Sequence, residues 1–359
     1  MENQIKKIIF GFLWRFFERS SVQGVRLIVF ILLARLLTPE AFGLIAFTAI
    51  FITLSEALIT NGLGASLIQS KKIDKIDIST MFWGSVVVSI VVYIIIWFFA
   101  PLIADIYKEE SLSLVLRVMA LRIPIGAINS IQEAIVIRKM IFKKIFIATL
   151  SGTVFAAIIG LLLAFYGAGI WSLVVQYLLA VIVNTIVLHQ LIKWTPEFLF
   201  SRERFQKLFS YSWKIMLSGF IGSLFDQLRS FFIGIVYTPS DLAYVAHGEK
   251  IPTLISNNVN VAMQSVLFPA LSKIQDDPKQ VRNALRKCMV LGSYVLMPIM
   301  LILCAIAKPL VILLLTERWI ACVPFLEVVC IQCCFSMLGT INMQAIKSLG
   351  RSEERRVGK

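Results

Sequence analysis

Residues 145–192 read IFIATLSGTVFAAIIGLLLAFYGAGIWSLVVQYLLAVIVNTIVLHQLI, 48 positions without one charged side chain. About 20 apolar residues suffice for a helix to cross a bilayer. Near the middle, Tyr166-Gly167-Ala168-Gly169 supplies turn chemistry. The stretch therefore predicts two membrane spans joined by a tight hairpin. Residues 81–104 and 288–307 are likewise uncharged, over 24 and 20 positions. Less pure apolar stretches at 9–37, 41–69, 113–137, 209–236, 241–271 and 320–346 complete a set of ten. In lipid, backbone groups must bond within each segment, so every span is helical. The expected fold class is an all-α, polytopic membrane protein of about ten transmembrane helices.

Composition agrees. Of 359 residues, 58% are hydrophobic and 16% charged, and the mean hydropathy is +0.84. Soluble domains carry about 45–50% apolar and 25% charged residues, so an ordinary soluble enzyme and a disordered chain are both excluded. The net charge of +14 is explained by loop asymmetry rather than by nucleic acid. Lys6 and Lys7, Lys71, Lys72 and Lys75, Arg138, Lys139, Lys143 and Lys144, Lys193, Arg202, Arg204 and Lys207, and Lys273, Lys279, Arg282, Arg286 and Lys287 all fall on one side. The opposite loops hold only Lys108, Lys308 and Arg318. The positive-inside rule then places the N-terminus in the cytoplasm. Trp83, Trp171, Trp194 and Trp319 lie near span ends and read as interfacial anchors. Arg15, Glu18 and Arg19 interrupt the first span and exclude a cleavable signal. The six cysteines, Cys288, Cys304, Cys322, Cys330, Cys333 and Cys334, sit mostly in apolar segments and read as buried thiols, with no metal site.

An internal repeat organises the chain. Thr38-Pro39-Glu40-Ala41-Phe42-Gly43 returns 200 residues later as Thr238-Pro239-Ser240-Asp241-Leu242-Ala243. Trp14-Arg15 pairs with Trp213-Lys214, Pro101-Leu102-Ile103 with Pro309-Leu310-Val311, and Leu116-Arg117-Val118 with Leu326-Glu327-Val328. Two six-helix bundles related by a parallel repeat follow, because an even number of spans returns the chain to its starting side. The expected domains are residues 1–200, an incomplete second bundle at 201–350 with about four helices, and a polar tail at 351–359. The repeat predicts a second half reaching about residue 400. The chain is thus expected to be C-terminally truncated, with a non-native tail.

Charges inside spans carry the functional reading, since a cation at mid-bilayer costs about 2.5–3.5 kcal/mol on insertion scales. Arg15, Arg19 and Arg26 share one helical face. Arg117, Arg122 and Lys214 are second candidates. Local pairing of Arg15 with Glu18 and of Asp226 with Arg229 is the alternative use of these charges. Cations outnumber acids, so a positive, water-filled cavity for an anionic, phosphate-bearing substrate is expected. Glu56 and Asp226 are candidates for ion coupling, because burial raises a carboxyl toward neutrality. Pro252, Asn257, Asn258 and Asn260 break up the pattern of the eighth span, as in a broken helix lining a transport path or, equally, as a tolerated proline kink. His189 and His247 lie far apart, and no nucleophile, nucleotide or metallohydrolase motif is present. No catalytic residue and no cofactor are assigned.

The run Leu33-Ala34-Arg35-Leu36-Leu37-Thr38-Pro39-Glu40-Ala41-Phe42-Gly43-Leu44 resembles the signature of bacterial polysaccharide transporters. These are lipid-linked oligosaccharide (O-antigen-like) flippases of the multidrug/oligosaccharidyl-lipid/polysaccharide exporter superfamily. Residues 137–143 and 169–174 are similar to the family as well. The resemblance implies 12 to 14 spans in two bundles and alternating access through a cationic cavity. It implies an undecaprenyl-diphosphate-linked oligosaccharide as substrate, serving lipopolysaccharide, capsule or exopolysaccharide biosynthesis. Transport would draw on a proton or sodium gradient. Membrane lipid, a polysaccharide polymerase and glycosyltransferases are the implied partners, and the bacterial cytoplasmic (inner) membrane is the implied location. A cation-coupled multidrug antiporter of the same superfamily is the alternative function, and a membrane polysaccharide polymerase a more distant one.

Overall fold

The computed structural model describes residues 2–60, 63–70, 73–273 and 277–348. Among these residues there is no strand. The helices are α1 (Glu2–Leu36), α2 (Pro39–Thr60), α3 (Leu63–Gln69), α4 (Lys75–Tyr107), α5 (Glu110–Met119), α6 (Arg122–Arg138) and α7 (Phe142–Phe165). They continue with α8 (Ile170–Ile192), α9 (Arg202–Val236), α10 (Pro239–Lys273), α11 (Pro278–Ala305), α12 (Ala307–Leu315) and α13 (Val323–Ser348), with a 3₁₀ turn at Glu317–Cys322. Among the described residues eight segments are long and apolar enough to cross a membrane, so the chain is a multi-pass membrane protein. The two other expected spans, α1 and α10, are helices of 35 residues each but fall outside that set. α1 carries Arg19, Arg26 and Arg35, and α10 carries Asp241, Glu249, Lys250 and three asparagines.

The hairpin at 145–192 forms as α7 and α8. Gly167 and Gly169 adopt φ of 78° and 56°, which side chains tolerate poorly. The two helices approach closely through small residues: a Cβ on Gly160 would lie 2.8 Å from Gln176 Cβ, and one on Gly152 2.8 Å from the Ala180 carbonyl oxygen. α1 lays Val29 and Leu33, and the residue after it Leu37, into a core with Ala157, Ala164, Leu173 and Val174.

Two expected spans are each two helices. The fourth divides into α5 and α6 at Ala120-Leu121, because Pro124 cannot sit in a helix interior without losing a bond and clashing with the preceding turn. It occupies the first turn of a new helix instead. The second divides into α2 and α3 around residues 61–62, which lie outside the described residues. The seven-residue α3 is held by Arg138 of α6, whose Nη1 donates to the carbonyls of Leu67 at 2.9 Å and Ser70 at 2.5 Å. A cation at a helix C-terminus is favourable because the last carbonyls are unbonded and partly negative.

One alternative is decided and one expectation corrected. α10 runs unbroken through Pro252, Asn257, Asn258 and Asn260. The buried Asn260 Nδ2 donates to the hydroxyls of Ser256 and Ser336 at 3.3 Å within the continuous helix, while its Oδ1 has no hydrogen-bond partner among the described residues. Trp319 is not an interfacial anchor. It is fully buried, stacked on His247 at 4.1 Å between ring centroids and met edge-on by Tyr244. The six cysteines are free thiols, as expected, and four are buried.

The chain packs as two compact units, Met1–Leu242 and Ala243–Lys359. α9 belongs to the first. Gly234 sits where a Cβ would lie 2.7 Å from Phe47 Cε1, and Gly43 sits where a Cβ would overlap the Pro239 backbone. At its other end, α9 is tied to the start of α4. Arg204 Nη1 lies 3.1 Å from Asp77 Oδ1 and 3.2 Å from Asp74 Oδ2. Hydrogen bonds to Asp77 and then Asp74 raise the Arg204 pKa further above its ordinary value. Contact thus divides the chain at 242/243, whereas the repeat reading places its boundary at 200/201.

Candidate functional site

One face of helix α1 changes along its length: Val29, Phe30, Leu33 and Ala34 are buried, whereas Arg19, Gln23 and Arg26 lie exposed on the same face nearer the N-terminus. Around Gly24 a side chain would meet nothing within 4 Å. The side chain of Arg15 lies outside those described. The exposed stripe ends toward residue 30, where Phe30 is buried and faces Phe42 edge-on at 6.3 Å.

Two of the sequence-selected residues meet. Arg122 at the start of α6 places Nη2 3.1 Å from Glu56 Oε1 on α2, with the side chains 21% and 32% exposed. The Arg122 guanidinium also lies 5.6 Å from the ring centroid of Tyr177 on α8. Arg122 Nε is buried and has no hydrogen-bond partner among the described residues, so a donor remains available within the cluster. One helical face further along α6, Gly126 opens onto free space, and Asn129 donates to Glu133 Oε1 at 3.0 Å.

The other candidates are placed apart from this pair. Arg117 on α5 is engaged by α4: its Nε donates to the Trp97 carbonyl at 3.2 Å and its guanidinium sits 4.8 Å from the Trp97 ring. That geometry is a cation–π clamp between helices. Lys214 and Asp226 stand exposed on α9, twelve residues apart, with Gly222 between them facing open space. Among the described residues no group of three or more His, Cys, Asp or Glu could hold a metal ion.

Sequence reasoning missed Tyr177, Trp97 and the pairing of Gln132 Nε2 with His189 Nδ1 at 3.4 Å. Nothing in an uncharged span marks one tyrosine or tryptophan as a partner for a distant arginine.

The comparisons give the family. The chain belongs to the polysaccharide biosynthesis protein family, whose pattern matches residues 32–324. It is 24% identical over 306 residues to the succinoglycan biosynthesis transport protein ExoT of Rhizobium meliloti (strain 1021), covering 85% of this chain and 62% of ExoT. It is 24% identical to the lipopolysaccharide biosynthesis protein WzxC of Escherichia coli (strain K12), over 91% of this chain and 67% of WzxC. It is 22% identical to the teichuronic acid biosynthesis protein TuaB of Bacillus subtilis (strain 168), over 98% of this chain and 74% of TuaB. The chain therefore spans about two thirds of the length of these curated relatives. The fold is shared with the lipid II flippase MurJ in an inward closed conformation, with a TM-score of 0.72 at 14% identity over 96% of this chain and 77% of MurJ. It is also shared with an inward-facing multidrug resistance MATE family transporter of the MOP superfamily, with a TM-score of 0.66 at 15% identity over 92% and 81%.

Proposed function

We propose that the protein, in its full-length form, translocates undecaprenyl-diphosphate-linked oligosaccharide repeat units across the bacterial cytoplasmic membrane by alternating access, for cell-surface polysaccharide biosynthesis. The observation that carries this reading is the exposed stripe Arg19, Gln23 and Arg26, which continues toward the N-terminus the helical face that Val29, Phe30 and Leu33 bury further along. Guanidiniums left exposed along a membrane helix are costly in lipid and favourable in a wet cavity that receives phosphate. In this reading Arg15, Arg19 and Arg26 grip the diphosphate, Arg122 and Lys214 extend the positive lining, and Arg117 positions α5. The neutral sugars pass through the cavity while the polyprenyl chain remains in lipid. Ten spans, a cytoplasmic N-terminus and two bundles of common ancestry belong to the same proposal.

Glu56 is the proposed coupling carboxylate, acting from within its ion pair with Arg122. Protonation of Glu56 would free the guanidinium for phosphate, linking an ion gradient to substrate capture. In proteoliposomes, Glu56→Gln should flatten the response of transport to an imposed proton or sodium gradient. A double-mutant cycle with Arg122→Gln should return a coupling of about 1–3 kcal/mol in thermal unfolding, less than a fully buried pair. An unchanged gradient response would return Glu56 to a purely structural role.

The function itself is tested by reconstituting the chain, and a version extended by the remainder of the second half, with a labelled undecaprenyl-diphosphate oligosaccharide. Accessibility of the label to an external sugar-modifying enzyme should rise with the extended protein. No rise with either, in folded protein, would overturn the flippase reading. The multidrug antiporter alternative calls for an acidic cavity that attracts cations, and the exposed charges of α1 have the opposite sign.

A further inference from the structure

The connector between α8 and α9 does not hang in water. It leaves α8 at Lys193 and enters α9 at Ser201, and between them it folds back along α4. Trp83 Nε1 donates to the Glu197 carbonyl at 3.0 Å, the Glu197 amide donates to Ser79 Oγ at 3.2 Å, and the Ser201 amide donates to Thr80 Oγ1 at 3.2 Å. Phe198 stacks on the Trp83 ring, with centroids 5.0 Å apart and planes 27° from parallel. Trp83 lies eight residues into α4, about 12 Å along the helix axis and inside its uncharged stretch. The connector therefore lies against the first apolar turn of α4, at the level of the interfacial Trp83.

Two features at that depth point the same way. Phe198 is 91% exposed, and Leu199 and Phe200 beside it are exposed too. Three large apolar side chains in a row facing water would be a wasted patch. Three backbone groups of this irregular segment, the Glu197 amide and carbonyl and the Ser201 amide, are moreover met by the buried hydroxyls of Ser79 and Thr80 and by the Trp83 indole. Non-helical backbone persists at membrane depth only when protein groups meet its hydrogen bonds. The flanking cations Lys193, Arg202 and Lys207 are exposed, placed as head-group contacts on either side of an apolar tip. The Glu197 carboxylate lies 3.9 Å from Lys75 Nζ, at the charged start of α4.

We infer that residues 196–200 form a hook inserted into the leaflet on the side of the basic loops, with lipid acyl chains around Phe198, Leu199 and Phe200 and lipid phosphates at Arg202 and Lys207. The hook rests on the reading of the chain as membrane-spanning and not on what it transports.

The test uses the unaltered protein in vesicles of phosphatidylethanolamine and phosphatidylglycerol. One sample carries a phospholipid with a diazirine in its acyl chain, and a second receives a water-soluble diazirine. Labelled residues are mapped by mass spectrometry. Residues 198–200 should take lipid-borne label at the level of the exposed α4 face at Val87 to Ile95. They should take about tenfold less water-borne label than the segment Asp277 to Arg282 at the start of α11, as expected for a group held below the head groups. Water-borne label on 198–200 matching that segment would make the connector an aqueous loop. Absence of both labels would mean that protein, such as a second copy, covers it. Either result overturns the hook while leaving the transport proposal untouched, because the assay contains no substrate.

Discussion

Replacing Arg15, Arg19 and Arg26 together by Gln should abolish oligosaccharide translocation while leaving membrane insertion and folding intact. Hydrogen bonds to charged groups contribute about 1.5–3 kcal/mol each. Losing three contacts to a diphosphate would then weaken capture by about 4–9 kcal/mol, more than a thousandfold. Folding should be insensitive, because Arg19 and Arg26 are exposed and Gln has nearly the helix propensity of Arg. Insertion should be easier, since three costly cations leave the span. The measurement is substrate accessibility in proteoliposomes, normalised to protein recovered in the membrane and to its unfolding temperature. Full transport by the folded triple variant would sink the assignment of the α1 stripe to phosphate.

Gly43→Ala should destabilise the protein, whereas Gly24→Ala should not. Both glycines sit in helices, and a mid-helix Gly costs about 0.5–1 kcal/mol relative to Ala. On propensity alone both changes would stabilise. Gly43, however, lies against the backbone of Pro239, with the Pro239 Cα at 2.8 Å from where a Cβ would stand and the carbonyl nearer still. Backbone cannot swing aside as a side chain can, so about 1–3 kcal/mol of overpacking is expected. Around Gly24 nothing lies within 4 Å, and Ala there should give a gain of up to about 1 kcal/mol. Thermal unfolding of the two variants in the same detergent checks the contrast. Equal shifts would mean that the Gly43 contact is not tight.

That contact also bears on how the sequence could be read. Gly43 closes the first Thr-Pro motif and Pro239 belongs to the second, 200 residues away. The repeated motifs are legible as a pattern, but nothing in a pattern says that its copies touch. The spans were legible because apolar length is dictated by the bilayer. The division of α5 from α6 was not read, although Pro124 announced it, because a run of hydropathy is blind to where a helix restarts. Trp319 was misread because position near a span end predicts an interface only when no neighbour claims the ring, and His247 and Tyr244 do so from another helix. At the site, the arginines were visible by their cost in lipid. Their partners, Tyr177 for Arg122 and Trp97 for Arg117, were not, since ordinary membrane residues become partners only through tertiary placement.

The arginine that holds α3 has a consequence for the order of events at the ribosome. α3 has seven residues, far fewer than a helix needs to persist unaided. Its terminal carbonyls wait for Arg138, which is synthesised 71 residues after Leu67. The C-terminal end of the second span is therefore finished only once the fourth has been made. A nascent chain halted before Arg138 would carry a second span with a loose end, a substrate for quality control rather than a folding intermediate able to wait.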